Sequence, residues 1–179
     1  MNRFLSAASL AALLLAATAA FAPAFAHVEL ETDKAPAGGS FKLVFMVPHG
    51  CAGSATVGLR VRIPEGVIRA KPMPKFGWTL TTVAEKLATP VDYEGTKLTE
   101  DVREIDWSKG NLPDDFYDEF VILAKLPDAP GKTIYFPVIQ QCAKGESRWI
   151  EIPAQGQNAD DLKLPAPSLT LGPKQASGD

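Results

Sequence analysis

The chain has 179 residues, of which 46% are apolar, and a formal net charge of −3 at pH 7. This length suits one domain with a real hydrophobic core and leaves no room for two. The small acidic excess argues against nucleic acid or anionic lipid as the main partner, because both select basic surfaces.

Residues 1–26 have the three regions of a secretory signal. Arg3 supplies the positive start, Phe4 to Ala22 form an apolar run, and Ala24 and Ala26 complete an Ala-x-Ala cleavage signal. We expect cleavage after Ala26 rather than a retained membrane anchor, because the small-residue exit favours it. Cleavage removes one cation, so the mature chain of 153 residues has a formal charge of −4 and no other run of membrane-spanning length. We therefore expect a soluble periplasmic protein without membrane insertion.

Cleavage at this bond makes His27 the first residue of the mature protein. Its freed α-amine and its imidazole Nδ1 can then close a chelate ring on one metal ion. Before cleavage the same nitrogen is an amide, which coordinates metals poorly. Amine and imidazole nitrogens in a planar arrangement suit copper(II), so the processed N-terminus predicts a copper ligand.

Alternating apolar and polar residues predict strands and little helix. The predicted strands are His27–Thr32, Phe41–Val47, Thr56–Ile63, Trp78–Ala84, Val102–Trp107, Glu119–Leu126, Thr133–Ile139 and Arg148–Ile152. Short strands at this spacing predict an all-β fold, an antiparallel β-sandwich of the immunoglobulin or fibronectin type III kind. We expect a single domain over residues 27–171. Residues 172–179 have nothing to bury and are expected to form a disordered tail.

The chain contains one other histidine, His49, in the Pro-His-Gly-Cys turn that ends the second predicted strand. If the first two strands form a hairpin, nine residues run from His27 to Ala35 and nine run back from Phe41 to His49. This symmetry places the two histidines opposite each other. A terminal amine, its own imidazole and a second imidazole form the three-nitrogen set called the histidine brace.

A carboxylate can take the place of the second imidazole. Glu29 shares the face of His27, because residues i and i+2 of a strand point the same way, and Glu31 and Asp33 are further alternatives. Two simpler interpretations stay open: His49 as a solvated turn residue, and His27 as an ordinary residue after a cleavage site.

Cys51 and Cys142 are the only cysteines, and an even number in an exported chain predicts a disulfide. The bridge closes a loop of about 90 residues, worth roughly 4 to 5 kcal/mol in the chain-entropy model. The alternative is a copper(I) thiolate site. It is disfavoured because the chain has no Cys-x-x-Cys pair and no third sulfur ligand nearby.

Several segments distributed over the mature chain carry a more specific signal. They are His27-Val28, Val47–Thr56, Arg62–Gly66, Lys71–Pro74, Gly77-Trp78, Trp107–Gly110, Phe116–Phe120 and Arg148–Pro153. Together they resemble the YcnI-like copper-binding proteins over essentially the whole mature chain. The resemblance implies a fibronectin-like β-sandwich that binds copper through its N-terminal histidine and acts in copper trafficking. It also implies periplasmic copper chaperones or cytochrome oxidase assembly proteins as partners.

The resemblance implies roles for individual residues as well. His27 matches the terminal histidine ligand, and Trp149 matches a tryptophan that lies beside the copper and shields it without coordinating it. In Gram-positive members a glutamate in the turn equivalent to Val47–Cys51 completes a brace with one histidine. That turn contains no acid here, which suggests that His49 has taken the position of the glutamate.

Two other function classes stay open. A copper-dependent oxidoreductase of the histidine-brace type uses the same nitrogens, but the sequence shows no obvious exposed aromatic surface for a glycan, and neither histidine lies in a nucleophile motif. A metal-free structural or adhesion sandwich is the other alternative. We predict an exported protein that is not an enzyme and that holds Cu(II) at His27 and His49, with Glu29 as the carboxylate alternative.

Overall fold

The computed structural model describes residues 27–174 and consists mainly of β-strands. The predicted signal peptide, its cleavage site and the last five residues of the predicted tail lie outside this range. The strands are β1 (Glu29–Leu30), β2 (Lys34–Pro36), β3 (Ser40–Val47), β4 (Thr56–Arg62), β5 (Ile68–Pro72), β6 (Thr79–Tyr93), β7 (Thr96–Ser108), β8 (Asp118–Lys125), β9 (Thr133–Tyr135), β10 (Val138–Cys142), β11 (Glu146–Trp149) and β12 (Ser168–Gly172). A single turn of 3-10 helix spans Ala159–Asp161. No helix within residues 27–174 is long and apolar enough to cross a bilayer.

The strands form two main sheets and one small one. The first main sheet has the order β1-β3-β8-β5, the second has the order β11-β10-β4-β7-β6, and the small sheet has the order β2-β12-β9. Every pairing is antiparallel except the one between β12 and β2, which is parallel. The predicted all-β, immunoglobulin-like sandwich is confirmed.

Alternating residues of the two main sheets supply the core. Leu43 and Phe45 of β3 and Leu59 and Val61 of β4 are completely buried, because every second side chain of a sandwich strand faces the opposite sheet. Trp107 of β7 is also completely buried. The packing of these inner faces holds in place the strand ends beside which the predicted site residues lie.

Three strands have no counterpart among the predicted ones. They are β2, β5 and β12, which have three to five residues and contain proline, lysine or glycine. The predicted strand Thr133–Ile139 is divided between β9 and β10, since Pro137 has no N–H to contribute to a ladder. Gly172, the first residue of the predicted tail, is the last residue of β12 and pairs with Pro36.

The first predicted hairpin exists only in part. β1 pairs antiparallel with β3, with Glu29 opposite Met46 and Leu30 opposite Phe45. Continued for two residues, this register puts Pro48 across from His27, one residue short of the predicted opposition of the two histidines. The difference arises because β2 leaves the hairpin to pair with β12, so the segment between β1 and β3 is not a symmetric turn.

The predicted disulfide between Cys51 and Cys142 is confirmed, with an S–S distance of 2.04 Å. It joins the turn after β3 to the last residue of β10. Because such bonds persist in oxidising compartments, the disulfide indicates an extracytoplasmic protein.

Candidate metal centre

The side chain of His27 lies at one end of the sandwich, against the ring of Trp149. The two ring centroids are 5.4 Å apart and the planes are inclined by 51°. Trp149 ends β11 and is 4% exposed, whereas the side chain of His27 is 23% exposed. The indole therefore forms a wall on one side of the imidazole and leaves another side open to solvent.

Glu29 lies on the same side of β1 as His27. Its Oε1 is 3.9 Å from Nδ1 of His27, and its side chain is 62% exposed. The sequence predicted this shared face from the period of a strand. The carboxylate is close to the imidazole but is exposed enough to rotate away from it.

A buried amide connects Trp149 to the turn that carries His49. Oε1 of Gln140 accepts a hydrogen bond from Nε1 of Trp149 at 3.0 Å. Nε2 of Gln140 donates to the carbonyl oxygen of His49 at 2.7 Å and to Oγ1 of Thr56 at 2.8 Å. Because Gln140 and Thr56 are completely buried, these bonds hold the His49 turn at a fixed position relative to the indole beside His27.

The contact of His49 with a backbone carbonyl oxygen favours one tautomer of its ring. Its Nδ1 lies 2.5 Å from the carbonyl oxygen of Gly50. A carbonyl only accepts hydrogen bonds, so Nδ1 is the donor, and in the neutral imidazole Nε2 then carries the lone pair. Histidine ligands of metals commonly have this arrangement, in which the second nitrogen donates to a carbonyl.

Contacts on both sides fix the His49 turn. The N–H of Gly50 donates to Oδ1 of Asp114 at 2.9 Å, and the Cys51–Cys142 disulfide follows directly. A β-carbon at Gly50 would lie 1.9 Å from the carbonyl oxygen of Ser54, so only glycine fits there. The disulfide also occupies both sulfurs, which removes the copper(I) thiolate alternative for this form of the protein.

A cleft of about 210 Å³ opens beside His27. Its polar lining includes Glu29, Asp33, Tyr135 and Asp160. The cleft brings a predicted carboxylate alternative, Asp33, to the same side of the molecule as His27. The charge of Glu31, the other carboxylate alternative, contributes to raising the pKa of Tyr117.

Within residues 27–174, no group of three or more His, Cys, Asp or Glu side chains is arranged to hold a metal ion. A histidine brace contains only two such side chains, because its third nitrogen is the terminal amine. The structure therefore brings His27 against Trp149 and ties Trp149 to the His49 turn, while Glu29 is the carboxylate that lies beside His27.

Sequence reasoning did not identify Gln140 or Asp114 as parts of this arrangement. One signal for Gln140 was present: Val138, Gln140 and Cys142 share a face, and a disulfide cysteine marks that face as internal. No comparable local pattern identified Asp114, because its contact with Gly50 joins segments 64 residues apart.

Three aromatic side chains and one methionine, which the sequence did not mark as an obvious surface, are exposed at this end of the sandwich. Phe76 is fully exposed, and Phe116, Tyr117 and Met73 are 62%, 56% and 52% exposed. We call this set the aromatic rim. The sequence favours core positions for Phe116 and Tyr117, as for most large aromatic residues of a sandwich, but both lie exposed in the turn that precedes β8.

Comparison with known proteins supports the fold. The chain is similar to an uncharacterized protein from Nocardia farcinica whose crystal structure has an immunoglobulin-like fold, with 27% sequence identity and a TM-score of 0.60, covering 82% of this chain and 98% of the other. No protein with a curated description matches the sequence significantly. The family model described as a domain of unknown function, DUF1775, matches residues 27–171. The chain therefore belongs to the DUF1775 family, which defines the YcnI-like proteins.

Proposed function

We propose that this chain is an exported, periplasmic copper-binding protein that acts in copper trafficking. In this proposal Cu(II) is held by the α-amine and Nδ1 of His27 and by Nε2 of His49. The observation that carries it is the set of contacts from His27 to Trp149, from Trp149 to Gln140, and from Gln140 to the His49 turn.

The donor chemistry fits the ion. Nδ1 of His27 and the amine that cleavage creates can bind the same ion and close one chelate ring. In the tautomer of His49 that donates to the Gly50 carbonyl, the lone pair is on Nε2. Three neutral nitrogens suit copper(II), which also has the highest affinity in the divalent series. The three donors come from two segments, and the Gln140 hydrogen bonds relate the second segment to the indole beside the first.

The surroundings of His27 suit a protein that binds copper and releases it. Trp149 excludes water from one side of the imidazole without offering a donor atom, since its indole N–H is used by Gln140. The remaining exposure of His27 leaves a path for a second protein to reach the ion. We propose periplasmic copper chaperones or cytochrome oxidase assembly proteins as the exchange partners.

Two observations support processing at the proposed bond. The family match begins at His27, and the disulfide requires an oxidising compartment. Because the amine exists only after cleavage, the copper site forms only in the exported protein.

A copper(II) titration of the processed protein tests the proposal. Mass spectrometry first establishes His27 as residue one, and electron paramagnetic resonance then reports the nitrogen ligands. We expect tight one-to-one binding that is lost in a matched protein with one alanine placed before His27. Binding that is indifferent to the added alanine would refute the brace.

Two substitutions distinguish His49 from Glu29 as the ligand that completes the site. His49→Ala should weaken copper(II) binding at least tenfold and reduce the nitrogen hyperfine pattern. Glu29→Gln, at an exposed position beside His27, should leave both unchanged. If the two results are exchanged, Glu29 completes the site in place of His49.

The aromatic rim favours one alternative, a copper-dependent oxidoreductase that acts on a glycan surface, because exposed aromatic rings stack on sugars. Incubation of the copper-loaded protein with chitin or cellulose and a reductant distinguishes the two functions. Oxidised oligosaccharides would establish the enzyme. Absence of copper binding in the titration would instead leave a metal-free structural sandwich.

A further inference from the structure

Four strand ends meet at the end of the sandwich that carries His27. Val47 of β3 pairs with Asp118 of β8, and Pro72 at the end of β5 pairs with Ile122. The strand order β1-β3-β8-β5 then places the segments 72–78 and 114–119 on the far side of the His49 turn from His27. Two strand spacings of about 4.8 Å separate β1 from β8 and three separate it from β5, so the aromatic rim lies about 10 to 14 Å from the start of β1.

The aromatic rim is held in place by contacts beneath it. The N–H of Met73 donates to the carbonyl oxygen of Val121 at 2.8 Å, and Nζ of Lys75 donates to Oδ1 of Asp118 at 2.6 Å and to the carbonyl oxygen of Glu119 at 2.9 Å. These contacts fix the residues before Phe76, and after it the ring of Trp78 packs edge-on against Phe120 with the centroids 4.9 Å apart. Because Lys75 joins this segment to Asp118, the exposed side chains of Met73, Phe76, Phe116 and Tyr117 lie on adjoining segments, and large apolar side chains grouped at a surface with a polar border are typical of an interaction site.

Carboxylates surround the rim and the candidate metal centre together. Segments 27–31, 46–50, 72–78 and 114–119 contain six acids and a single cation, Lys75, which is paired with Asp118. The acids are Glu29, Glu31, Asp114, Asp115, Asp118 and Glu119. An apolar centre with a charged border is the usual composition of a protein interface.

We infer that the aromatic rim is the docking surface for the protein that exchanges copper with this chain, and that this partner presents an apolar patch bordered by lysine and arginine. The inference rests on the proposed function and adds the chemistry of the partner. A second copy of the chain would bring acidic borders together, and an anionic bilayer would be repelled in the same way. A neutral glycan would make no use of the acidic border.

The positions of the two sites suit transfer. A standard interface buries about 800 Å² on each partner, and a patch of that area centred on Tyr117 reaches both Phe76 and the open side of His27. A partner docked on the rim therefore covers the copper site during exchange.

Crosslinking identifies the partner. The processed, copper-loaded protein carries a photoreactive benzophenone residue at position 76 and is irradiated in a periplasmic extract of its own organism, at low and at high salt. The captured protein is identified by mass spectrometry, purified, and titrated against the chain by calorimetry. We expect a protein with a basic surface and a captured yield that falls at high salt.

Matched variants then test the surface with the purified partner. Phe76→Ser combined with Phe116→Ser should weaken binding at least tenfold, whereas Val83→Ser, an apolar side chain 48% exposed on β6, should not. Asp115→Lys should weaken binding and reduce its salt dependence. Glu65→Lys, an exposed acid between β4 and β5 at the opposite end, should change neither.

Several results would overturn the inference. The first two are the absence of any captured protein and partner binding by the rim variants that equals that of the native protein. The others are a dimer in sedimentation that the rim variants abolish, and rim-dependent binding to phosphatidylglycerol vesicles or to chitin. Copper titration of the rim variants distinguishes failure of the docking surface from failure of the proposed copper-binding function. Intact copper binding with no effect of the rim on partner affinity would refute the docking surface alone.

Discussion

The side chain of Gln140 makes three hydrogen bonds, to Trp149, to the carbonyl of His49 and to Thr56. Gln140→Leu keeps the volume similar and removes all three. Three buried polar groups lose a partner and each costs about 1 to 3 kcal/mol, so we expect a loss of at least about 3 kcal/mol in the free energy of unfolding. Urea denaturation measures the change.

Gln141→Leu is the matched control, because Gln141 is the next residue of β10 and points to the opposite face. Its cost should stay below about 1 kcal/mol. Equal costs for the two variants would mean that the bonds of Gln140 do not hold the His49 turn, and copper(II) affinity would then be unaffected as well.

The hydroxyl of Tyr117 donates to the carboxylate of Glu119. This bond, followed by loss of water contact and by the nearby carboxylates, raises the pKa of Tyr117 to about 12. An unfolded tyrosine ionises near pH 10, so the stabilisation is complete below about pH 10 and is lost as the pH rises toward 12. Absorbance titration should show a transition near pH 12 that Tyr117→Phe removes.

Glu119→Gln should move that transition toward pH 10, because the charged acceptor is gone. A transition that stays in place in this variant would show that the carboxylate is not the cause. The titration also reports on the aromatic rim, to which Tyr117 belongs.

Single residues differ in how far their roles follow from sequence. The pairing of Cys51 with Cys142 follows from the cysteine count and the compartment, and the sequence predicted it correctly. His27 was predicted to begin the first strand but lies two residues before it. The burial of Gln140 depends on its partners in β11 and in the His49 turn, which lie 9 and 91 residues away. The alternation of residues within β10 does not indicate these hydrogen-bond partners of Gln140.

Among the elements, β7 contains a charged residue in the core. Arg103 is 1% exposed and donates to the carbonyl oxygens of Pro64 at 2.9 Å and Val67 at 2.7 Å. The guanidinium therefore holds the loop between β4 and β5 in place. Arg103→Ala removes both donors and leaves a cavity, while the carbonyl oxygen of Pro64 keeps only the N–H of Val67 at 3.2 Å. We expect a loss of about 3 to 5 kcal/mol in the free energy of unfolding.

Denaturation in urea compares this variant with Arg148→Ala. Arg148 is exposed and pairs only with Glu146 at 2.9 Å, so its removal should cost less than about 1 kcal/mol. Arg103→Lys should fall between the two, because an ammonium can reach fewer of the carbonyls. A small effect of Arg103→Ala would mean that the loop finds other hydrogen-bond donors.

The strands that the sequence missed entirely have distant pairing partners. It also missed the outer half of the adjacent β6–β7 hairpin, because it predicted only Trp78–Ala84 and Val102–Trp107 of two strands that pair as far as Tyr93 and Thr96. β2 forms a parallel pair with β12 across more than 130 residues of chain, and β12 pairs in turn with β9. Strands with strong alternation, such as β3 and β8, were predicted within a residue or two. β5 contains Lys71 and Pro72, which depress strand propensity and are tolerated because it is an edge strand.

For the whole molecule, the disulfide links the end of the first sheet to the second sheet. Cys51 and Cys142 are separated by 91 residues, so their bond restricts half of the unfolded chain. Replacing both with alanine should lower the free energy of unfolding by about 4 to 5 kcal/mol in the chain-entropy model. Urea denaturation measures the loss.

The same variant should bind copper(II) more weakly, since the His49 turn loses its covalent anchor beside Gly50. The control is the native protein with and without a thiol reductant, which should reproduce both effects. Unchanged copper affinity in the folded double variant would mean that the Gln140 hydrogen bonds alone position His49.

In the processed protein that we propose, only His27 and Val28 precede the first strand. β1 begins at Glu29, the N–H of Glu31 donates to the carbonyl oxygen of Val44 at 3.0 Å, and Val28 is 1% exposed. An aminopeptidase needs several residues of extended chain to enter its active site. To trim His27 from the processed protein it must first pull Val28 out of the core and open the edge of the sheet. We therefore expect the fold to protect His27 of the proposed mature protein against exopeptidases, which would otherwise remove the proposed copper ligand.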